Sequence, residues 1–132
     1  MIWFLKVFSF AVLLVLTASD LSAAESSIYG AWARGDGVAR VQIAPCGGAI
    51  CAINTWIKPG VSDEKVGDKL VMSVEPSSAA AMSGTAFDPQ RNLSYRLKIN
   101  FSGKSMTTQG CVLGGLLCKN MGWTRLSGGI GL

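Results

Sequence analysis

Turn-forming residues interrupt this sequence at intervals of about 8–12 residues, and this spacing limits the fold more than any other feature. The interruptions are Arg34 to Gly37, Gly47-Gly48, Lys58 to Asp68, Glu75 to Ser78, Asp88 to Asn92, Ser102-Gly103 and Gly114-Gly115. Glycine favours turns because it tolerates positive φ, and proline because its ring fixes φ. Aspartate and asparagine favour turns because their side chains bond to the nearby backbone. Regular interruption of this kind is typical of all-β sandwiches and barrels.

The segments between these turns number about eight and have the character of strands. They are residues 28–34, 37–45, 49–57, 68–76, 79–87, 93–101, 104–112 and 116–126. Tyr95–Phe101 alternates strictly between apolar and polar residues, and only the run Ala79–Ala81 leans helical. Eight antiparallel strands are enough to close a barrel, which removes the exposed sheet edges. We therefore predict an all-β protein with a small antiparallel barrel.

The first 24 residues have the layout of a secretory signal peptide. Lys6 precedes an apolar run from Val7 to Leu16, and Ser22-Ala23-Ala24 offers small residues for cleavage after Ala24. The apolar run is too short for a transmembrane helix, which needs about 20 residues. We expect a single barrel domain over 25–126, a flexible tail over 127–132, and a periplasmic or secreted location.

Charge and length argue against a nucleic-acid partner and a membrane span. Removal of residues 1–24 leaves 108 of the 132 residues, enough for one modest core, and the net charge stays at +4. The remaining cations are scattered, whereas nucleic-acid binding needs a clustered basic face. No later segment is long and apolar enough to cross a bilayer.

The four cysteines lie in two pairs, each around a double glycine, in the segments "CGGAIC" and "CVLGGLLC". A secreted small domain with an even cysteine count favours disulfides, here Cys46–Cys51 and Cys111–Cys118. A two-residue Gly114-Gly115 turn places Cys111 opposite Cys118. The first bridge favours a four-residue loop, which would place Cys46 opposite Cys51. The spacings are Cys-x4-Cys and Cys-x6-Cys and the sequence has no histidine, whereas structural zinc sites prefer Cys-x2–4-Cys pairs, often with histidine, so zinc is disfavoured. The absence of Cys-x-x-Cys disfavours a redox site.

The sequence contains no histidine, which removes the commonest general base and the Ser-His-Asp and Cys-His arrangements. Asp63, Glu64 and Asp68 are carboxylates in a lysine-rich loop, a composition typical of a solvated turn. No glycine-rich phosphate motif is present. We therefore expect no catalytic residue, no metal site and no cofactor, and a protein that is not an enzyme.

Four motifs resemble those of the secreted bacterial proteins grouped as domain-of-unknown-function family 2147. They are Gly30-Ala31-Trp32, the stretch Val41 to Cys51, Phe87-Asp88-Pro89 and Trp123-Thr124-Arg125. The resemblance covers nearly the whole chain after the signal peptide, and the cysteine segment is its most specific part. The middle of the chain, from about Pro59 to Ser83, departs from the family pattern because it is shorter.

This resemblance implies a lipocalin-like barrel in the bacterial envelope and carries no established activity. In such barrels a tryptophan of the first strand plugs the closed end, and a cation near the end of the chain stacks over it. Trp32 and Arg125 occupy the matching places. The resemblance therefore implies a structural pair at the barrel end, stabilised by about 0.5–2 kcal/mol of cation–π energy.

Two functions are consistent with these features. The first is the binding of a small apolar or amphipathic ligand in the barrel, with Trp56, Trp123, Phe87 and Tyr95 as candidate ligand or rim contacts. The second is a periplasmic interaction or structural module that acts through surface loops such as Lys58–Lys69, its interior filled by side chains. An eight-stranded barrel allows either, since it can be packed or hold one small ligand. The ligand or protein partner is unknown from the sequence.

Overall fold

A computed structural model describes residues 11–12, 24–25 and 27–128, with side chains up to Leu126, and places eight strands in one sheet. The strands are β1 Gly30–Arg34, β2 Ala39–Cys46, β3 Ala49–Ile57, β4 Lys69–Ser78, β5 Ala81–Asp88, β6 Leu93–Ser102, β7 Ser105–Val112 and β8 Leu117–Gly128. Most of the expected signal peptide, and residues 129–132 of the expected tail, lie outside the described residues. Residues 127–128 belong to β8.

Each strand pairs antiparallel with the next, and β1 pairs with β8 to close the barrel. The prediction of a closed eight-stranded antiparallel barrel is confirmed. Ala79 and Ala80 form the turn between β4 and β5, so the helical leaning of this alanine run has no counterpart in the fold. Within the described ranges, no helix is both long and apolar enough to cross a membrane.

Side-chain alternation separates the barrel interior from its outer wall. Along β2, Val41 and Ile43 are buried while Arg40 and Gln42 are exposed. β6 repeats the pattern predicted for Tyr95–Phe101, with its apolar residues inside and its charged residues outside. Period-two alternation has this effect because successive side chains of a strand point to opposite faces.

One end of the barrel is closed by the segment that precedes β1. Ile28 and Trp32 are fully buried, and the indole Nε1 of Trp32 donates to the carbonyl oxygen of Ile28 at 2.9 Å. The guanidinium carbon of Arg125 lies 4.2 Å from the centroid of the Trp32 ring. Arg125 also donates to the carbonyl oxygens of Tyr29 (2.8 Å) and Ser27. One cation thus joins β1, β8 and the segment 27–29 that precedes β1. This is the arrangement that the family resemblance implies.

The opposite end carries the β1–β2, β3–β4, β5–β6 and β7–β8 connections, since successive hairpins of an up-and-down barrel alternate between ends. The longest connection, residues 58–68, lies here. Asn54 fixes its far side, because the Asn54 backbone nitrogen donates to Asp68 and the Asn54 carbonyl accepts from Gly67. We call this end the open end and the residues 58–68 the strap.

The four cysteines are paired locally, as predicted, with one disulfide near each end of the barrel. Cys111 and Cys118 are directly opposite in the β7–β8 register, and their Cα atoms are 4.1 Å apart. Gly114 and Gly115 both adopt positive φ at the centre of the turn, as predicted, and the Leu113 carbonyl accepts from the Leu116 nitrogen. The strands end at Val112 and Leu117, however, so the connection has four residues and includes a short 3₁₀ helix, Leu113–Gly115, instead of pairing Leu113 with Leu116.

The prediction of a four-residue loop for the first pair is wrong. The β2–β3 register places Cys46 opposite Ala49, so the turn is the two-residue Gly47-Gly48. The Cys46–Cys51 bridge is therefore diagonal, and its Cα atoms are 5.7 Å apart. Such a diagonal is feasible because this separation lies within the usual disulfide range.

Candidate ligand-binding site

A cavity of about 530 Å³ occupies the open half of the barrel. Its volume lies within the range of about 300–1,000 Å³ that is common for small-molecule sites. Core residues of the closed half form its floor, among them Ile43, Ile99 and Met106. Side chains therefore fill only the closed half, and the barrel is not packed throughout.

The walls are apolar in their lower part and aromatic on one side. Val41, Met72 and Leu97 line the cavity from β2, β4 and β6. Trp123 lines it from β8, and its Nε1 donates to Oγ1 of Thr108 on β7 at 3.0 Å. This bond satisfies the indole donor inside the barrel.

Tyr95 lies against a strand that has no side chain at the contact. A Cβ added at Gly110 would be 2.9 Å from Cε2 and 3.1 Å from Cδ2 of Tyr95. The ring of Tyr95 therefore rests on the backbone of β7. Any larger residue at position 110 would push the ring away from this wall, because those distances are shorter than ordinary van der Waals contact.

An ion pair ties the strap to the mouth of the cavity. Nη1 and Nη2 of Arg34 donate to Oε1 and Oε2 of Glu64 at 2.8 and 2.5 Å. Nε of the same arginine donates to both carboxylate oxygens of Asp36 in the β1–β2 turn. A two-pronged arginine–carboxylate contact is among the strongest side-chain hydrogen bonds, and it fixes geometry as well as charge.

The β5–β6 turn contributes a second ion pair at the mouth. The Asp88 carboxylate accepts from Nη1 of Arg91 at 2.8 Å and from the backbone nitrogen of Gln90. Arg91 in turn donates to the carbonyl oxygen of Asp63 in the strap. The strap is thus held at Asp63 and Glu64 by two arginines from different hairpins.

These contacts set the charge states at the mouth. Hydrogen bonding from Arg34 holds the pKa of Glu64 below its ordinary value, and the bond to Glu64 raises the pKa of Arg34. Burial opposes a low pKa for Asp88, yet the bonds from Arg91 and Gln90 outweigh it and the pKa is lowered. Both carboxylates are therefore ionised and neutralised by their arginines at neutral pH.

Of the four candidate ligand contacts, two line the cavity and two do not. Tyr95 and Trp123 face it. Phe87 lies on the outer wall, since its neighbour Ala86 is buried and alternation turns Phe87 outward. Trp56 is also on the outer wall, where the Arg40 guanidinium lies 5.0 Å from its ring centroid.

A β-bulge explains why Trp56 is turned outward. The register steps from Arg40 opposite Trp56 to Val41 opposite Asn54, which leaves Thr55 as the extra residue. An inserted residue inverts the alternation, because side chains alternate with a period of two. Asn54, two residues from the cavity-lining Ala52, therefore keeps the inward direction, whereas Trp56, beyond the extra residue, is turned outward.

The sequence reasoning missed the charged residues of the mouth. Glu64 was expected in a solvated turn, but it is half-buried and bonded to Arg34, thirty residues away. Gly110 and Lys119 also line the cavity and were not predicted as site residues. Alternation along β7 and β8 could have placed both inside, whereas no local signal joins Arg34 to Glu64.

The cysteines do not serve as metal ligands, since all four are bonded in disulfides. Among residues 24–25 and 27–128, no three of His, Cys, Asp and Glu lie close enough together to hold a metal ion. The arrangement suits binding: an apolar pocket with a polar, charge-paired mouth.

Comparisons with known proteins extend these observations. Among solved structures, a redesigned β-barrel is similar, with a TM-score of 0.51, 16% sequence identity, and coverage of 80% of this chain and 96% of that chain. At that identity the likeness concerns the fold alone. A search of curated proteins found no match.

A family model described as "Uncharacterized protein conserved in bacteria (DUF2147)" matches residues 30–125. The matched range begins at the first residue of β1 and ends at the arginine that stacks on Trp32. It therefore includes the cavity, its mouth and both disulfides. Because the match covers most of the sequence, this chain belongs to the DUF2147 family of bacterial proteins.

Proposed function

We propose that this protein is a non-enzymatic binding protein of the bacterial envelope that holds one small apolar or amphipathic ligand inside its barrel. The cavity of about 530 Å³ carries the proposal, since its floor and lower walls are apolar and its mouth is polar. Ligand sites commonly combine an apolar lining with a few placed polar groups. An amphipathic molecule fits this polarity, with its apolar part on the floor.

The location follows from the cysteines and the family. Disulfides persist in oxidising compartments outside the cytoplasm, and the family is bacterial. Export by a signal peptide over residues 1–24, to the periplasm or beyond, is part of the proposal. N-terminal sequencing of the protein recovered from the periplasm should begin at Glu25.

Ligand binding is tested with N-phenyl-1-naphthylamine, an uncharged probe that becomes fluorescent in apolar surroundings. We expect saturable binding to the wild type. Ala52→Phe, at a position that lines the cavity, should weaken binding at least about tenfold, because the phenyl ring fills the space. The matched variant Ala44→Phe, on the exposed face of β2, should bind like the wild type.

Native mass spectrometry of protein taken from its own periplasm supplies a second test. A retained small mass is expected on the wild type and should be missing from Ala52→Phe. The proposal is wrong if the wild type binds neither the naphthylamine probe nor any small molecule from the cell.

A second candidate function, contact with another envelope protein, is favoured by one observation. Leu113, Leu116 and Leu117 at the β7–β8 turn are 68%, 84% and 59% exposed, which is unusual for three neighbouring leucines. A photo-crosslinker placed at Leu116 in intact cells should then give one discrete adduct. The same group at Thr85, on the exposed outer wall of β5, should give none.

A further inference from the structure

Among the described residues, side chains that line the cavity and keep free hydrogen-bond donors are concentrated on one wall, with Lys69 of β4 as a single further cation. Around the strap, the side chains of Arg34, Glu64 and Asn54 already bond to protein partners. At the β5–β6 turn, Asp88 and Gln90 do so as well. The wall formed by β6, β7 and β8 differs, because three of its polar side chains keep hydrogen atoms to donate.

These three side chains surround Gly110. Lys119 lies directly opposite Gly110 in the β7–β8 register. The Tyr95 ring contacts Gly110 from the β6 side. Thr108 precedes Gly110 by two residues and faces the same way along β7. We call Tyr95, Thr108, Gly110 and Lys119 the donor wall.

Each polar member of the donor wall is a donor at neutral pH. Thr108 Oγ1 accepts from Trp123, so its own proton is available to another partner. Burial, and secondarily the charge of Asp88, raises the pKa of Tyr95, which keeps its hydroxyl protonated. No hydrogen bond of that hydroxyl occurs among the described residues. Lys119 likewise takes part in none of the ion pairs found in 27–126.

Three of the acidic groups nearby are paired with arginines, whereas Asp68, which also lines the cavity, accepts from the backbone nitrogen of Lys65. Arg34 binds Glu64 and Asp36, and Arg91 binds Asp88. Asp36 feels the charge of Lys119, but more weakly than it feels Arg34. The strap side of the mouth therefore holds the carboxylates with their arginines and Lys69, and the opposite side presents the Lys119 ammonium together with two hydroxyl donors.

We propose that the donor wall binds the anionic oxygen head group, a carboxylate or a phosphate monoester, of an amphipathic ligand whose apolar body lies on the floor formed by Ile43, Ile99 and Met106. This inference rests on the proposed function and names the class of ligand for the same cavity. Three donors on one wall suit an oxyanion, since each oxygen accepts more than one hydrogen bond. An amine head group would instead place its own hydrogen-bond donors against these donors, and its positive charge beside that of Lys119.

The test uses four ten-carbon compounds, below their micelle concentrations, to displace the uncharged naphthylamine probe. We expect decanoate or decyl phosphate to displace it at a concentration at least about tenfold lower than decanol, and decylamine to be the weakest. The stronger of the two anions identifies the head group. If decanol and both anions compete equally, the inference is wrong while the proposed function stands.

Variants locate the head group. Lys119→Met should remove most of the preference for the anion over decanol, and its thermal unfolding midpoint, compared with that of the wild type, shows whether the barrel is folded. Tyr95→Phe should reduce the preference about threefold to tenfold. Lys98→Met removes a cation from the outer face of β6 and should change nothing.

Two results would overturn the inference. One is an anion preference that survives intact in Lys119→Met. The other is an equal loss of preference in Lys98→Met, which would mean that net charge alone attracts the anion. If neither the naphthylamine probe nor any of the four compounds binds the wild type, the proposed function fails together with the inference.

Discussion

Arg125 connects three parts of the molecule: β8, β1 and the segment that precedes β1. Its guanidinium stacks on Trp32 and donates to two carbonyl oxygens of the segment that plugs the barrel. The stack and the hydrogen bonds act on the same segment, so their loss should be cooperative.

Replacing Arg125 with alanine is expected to lower the free energy of unfolding by about 2–4 kcal/mol, since charged hydrogen bonds and a cation–π contact are lost together. Urea denaturation at neutral pH measures this. Arg96→Ala, an exposed position on β6, is the control and should stay within about 0.5 kcal/mol of the wild type. An equal effect of both variants would remove the structural role assigned to Arg125.

Gly84 lies where the backbone of β4 leaves no room for a side chain on β5. A Cβ there would lie 2.1 Å from the carbonyl oxygen of Ser73 and 2.9 Å from Cα of Val74, both backbone atoms of β4. Gly122 is also within a strand, but a Cβ there would meet no atom within 4 Å. The two glycines therefore form a matched pair that differs in available space.

Gly84→Ala should destabilise the protein by about 1–3 kcal/mol, the usual cost of overpacking, because the backbone of β4 has to move. Gly122→Ala should be neutral or slightly stabilising, since alanine loses less backbone entropy on folding. The measurement is the midpoint of thermal unfolding for both variants. A neutral Gly84→Ala would contradict the close approach of β4 and β5.

At the scale of elements, the β7–β8 hairpin combines a disulfide with an apolar tip. Cys111–Cys118 clamps the strands directly below the exposed leucines. Leu113 has a φ of 54°, a conformation that a branched residue rarely adopts. The clamp and the two turn glycines hold the tip in this conformation beside the cavity mouth.

Removing this clamp with Cys111→Ser and Cys118→Ser together should cost about 2 kcal/mol, the chain-entropy estimate for so short a loop. The matching Cys46→Ser and Cys51→Ser pair should cost about the same. Only the first pair borders the cavity, so only its loss should also weaken binding of the naphthylamine probe. Equal effects of the two double variants on binding would show that the hairpin clamp does not support the site.

Sequence patterns at this scale predicted the strands and both cysteine pairs well. Alternation identified β6 because its faces differ in polarity at every step. The same rule failed for Trp56, since one bulged residue inverts the pattern and no local signal at Thr55 announces the bulge. The loop between Cys46 and Cys51 was misassigned because the same residues are compatible with two arrangements. A four-residue loop gives a directly opposite disulfide, whereas the two-residue turn that is present gives a diagonal one.

At the scale of the whole molecule, low pH should reduce the free energy of unfolding, because it protonates carboxylates at the cavity mouth. The pKa of Glu64 is lowered below its ordinary value of 4.5, chiefly by the hydrogen bond from Arg34. Ionised Glu64 thus stabilises the folded state. Its full contribution is present above the ordinary pKa and is lost as the pH falls through the lower folded pKa. The pKa of Asp88 is also lowered, and its contribution has the same sign.

The urea midpoint should therefore decrease as the pH is lowered from about 5 to about 3, and Glu64→Gln should make this decrease shallower. Glu75→Gln, an exposed carboxylate on β4, is the control and should keep the wild-type slope. An unchanged slope in Glu64→Gln would show that the strap does not depend on its ion pair.

What the sequence determined by itself was local. Turn residues and alternation established the number of strands and the barrel class, the cysteine spacing established the disulfide partners, and the motifs established the family. These properties depend on neighbouring residues or on short spacings along the chain. Each could therefore be predicted without knowledge of how the chain folds in three dimensions.

Only the tertiary structure decided which residues meet across the barrel. The pairing of β1 with β8 brings Arg125 to Trp32, and the path of the strap brings Glu64 to Arg34. The cavity exists because core side chains fill the closed half and stop short of the open one. Closure, bulges and loop paths set these distances together. The fold class was therefore predictable from the sequence, whereas the site was not.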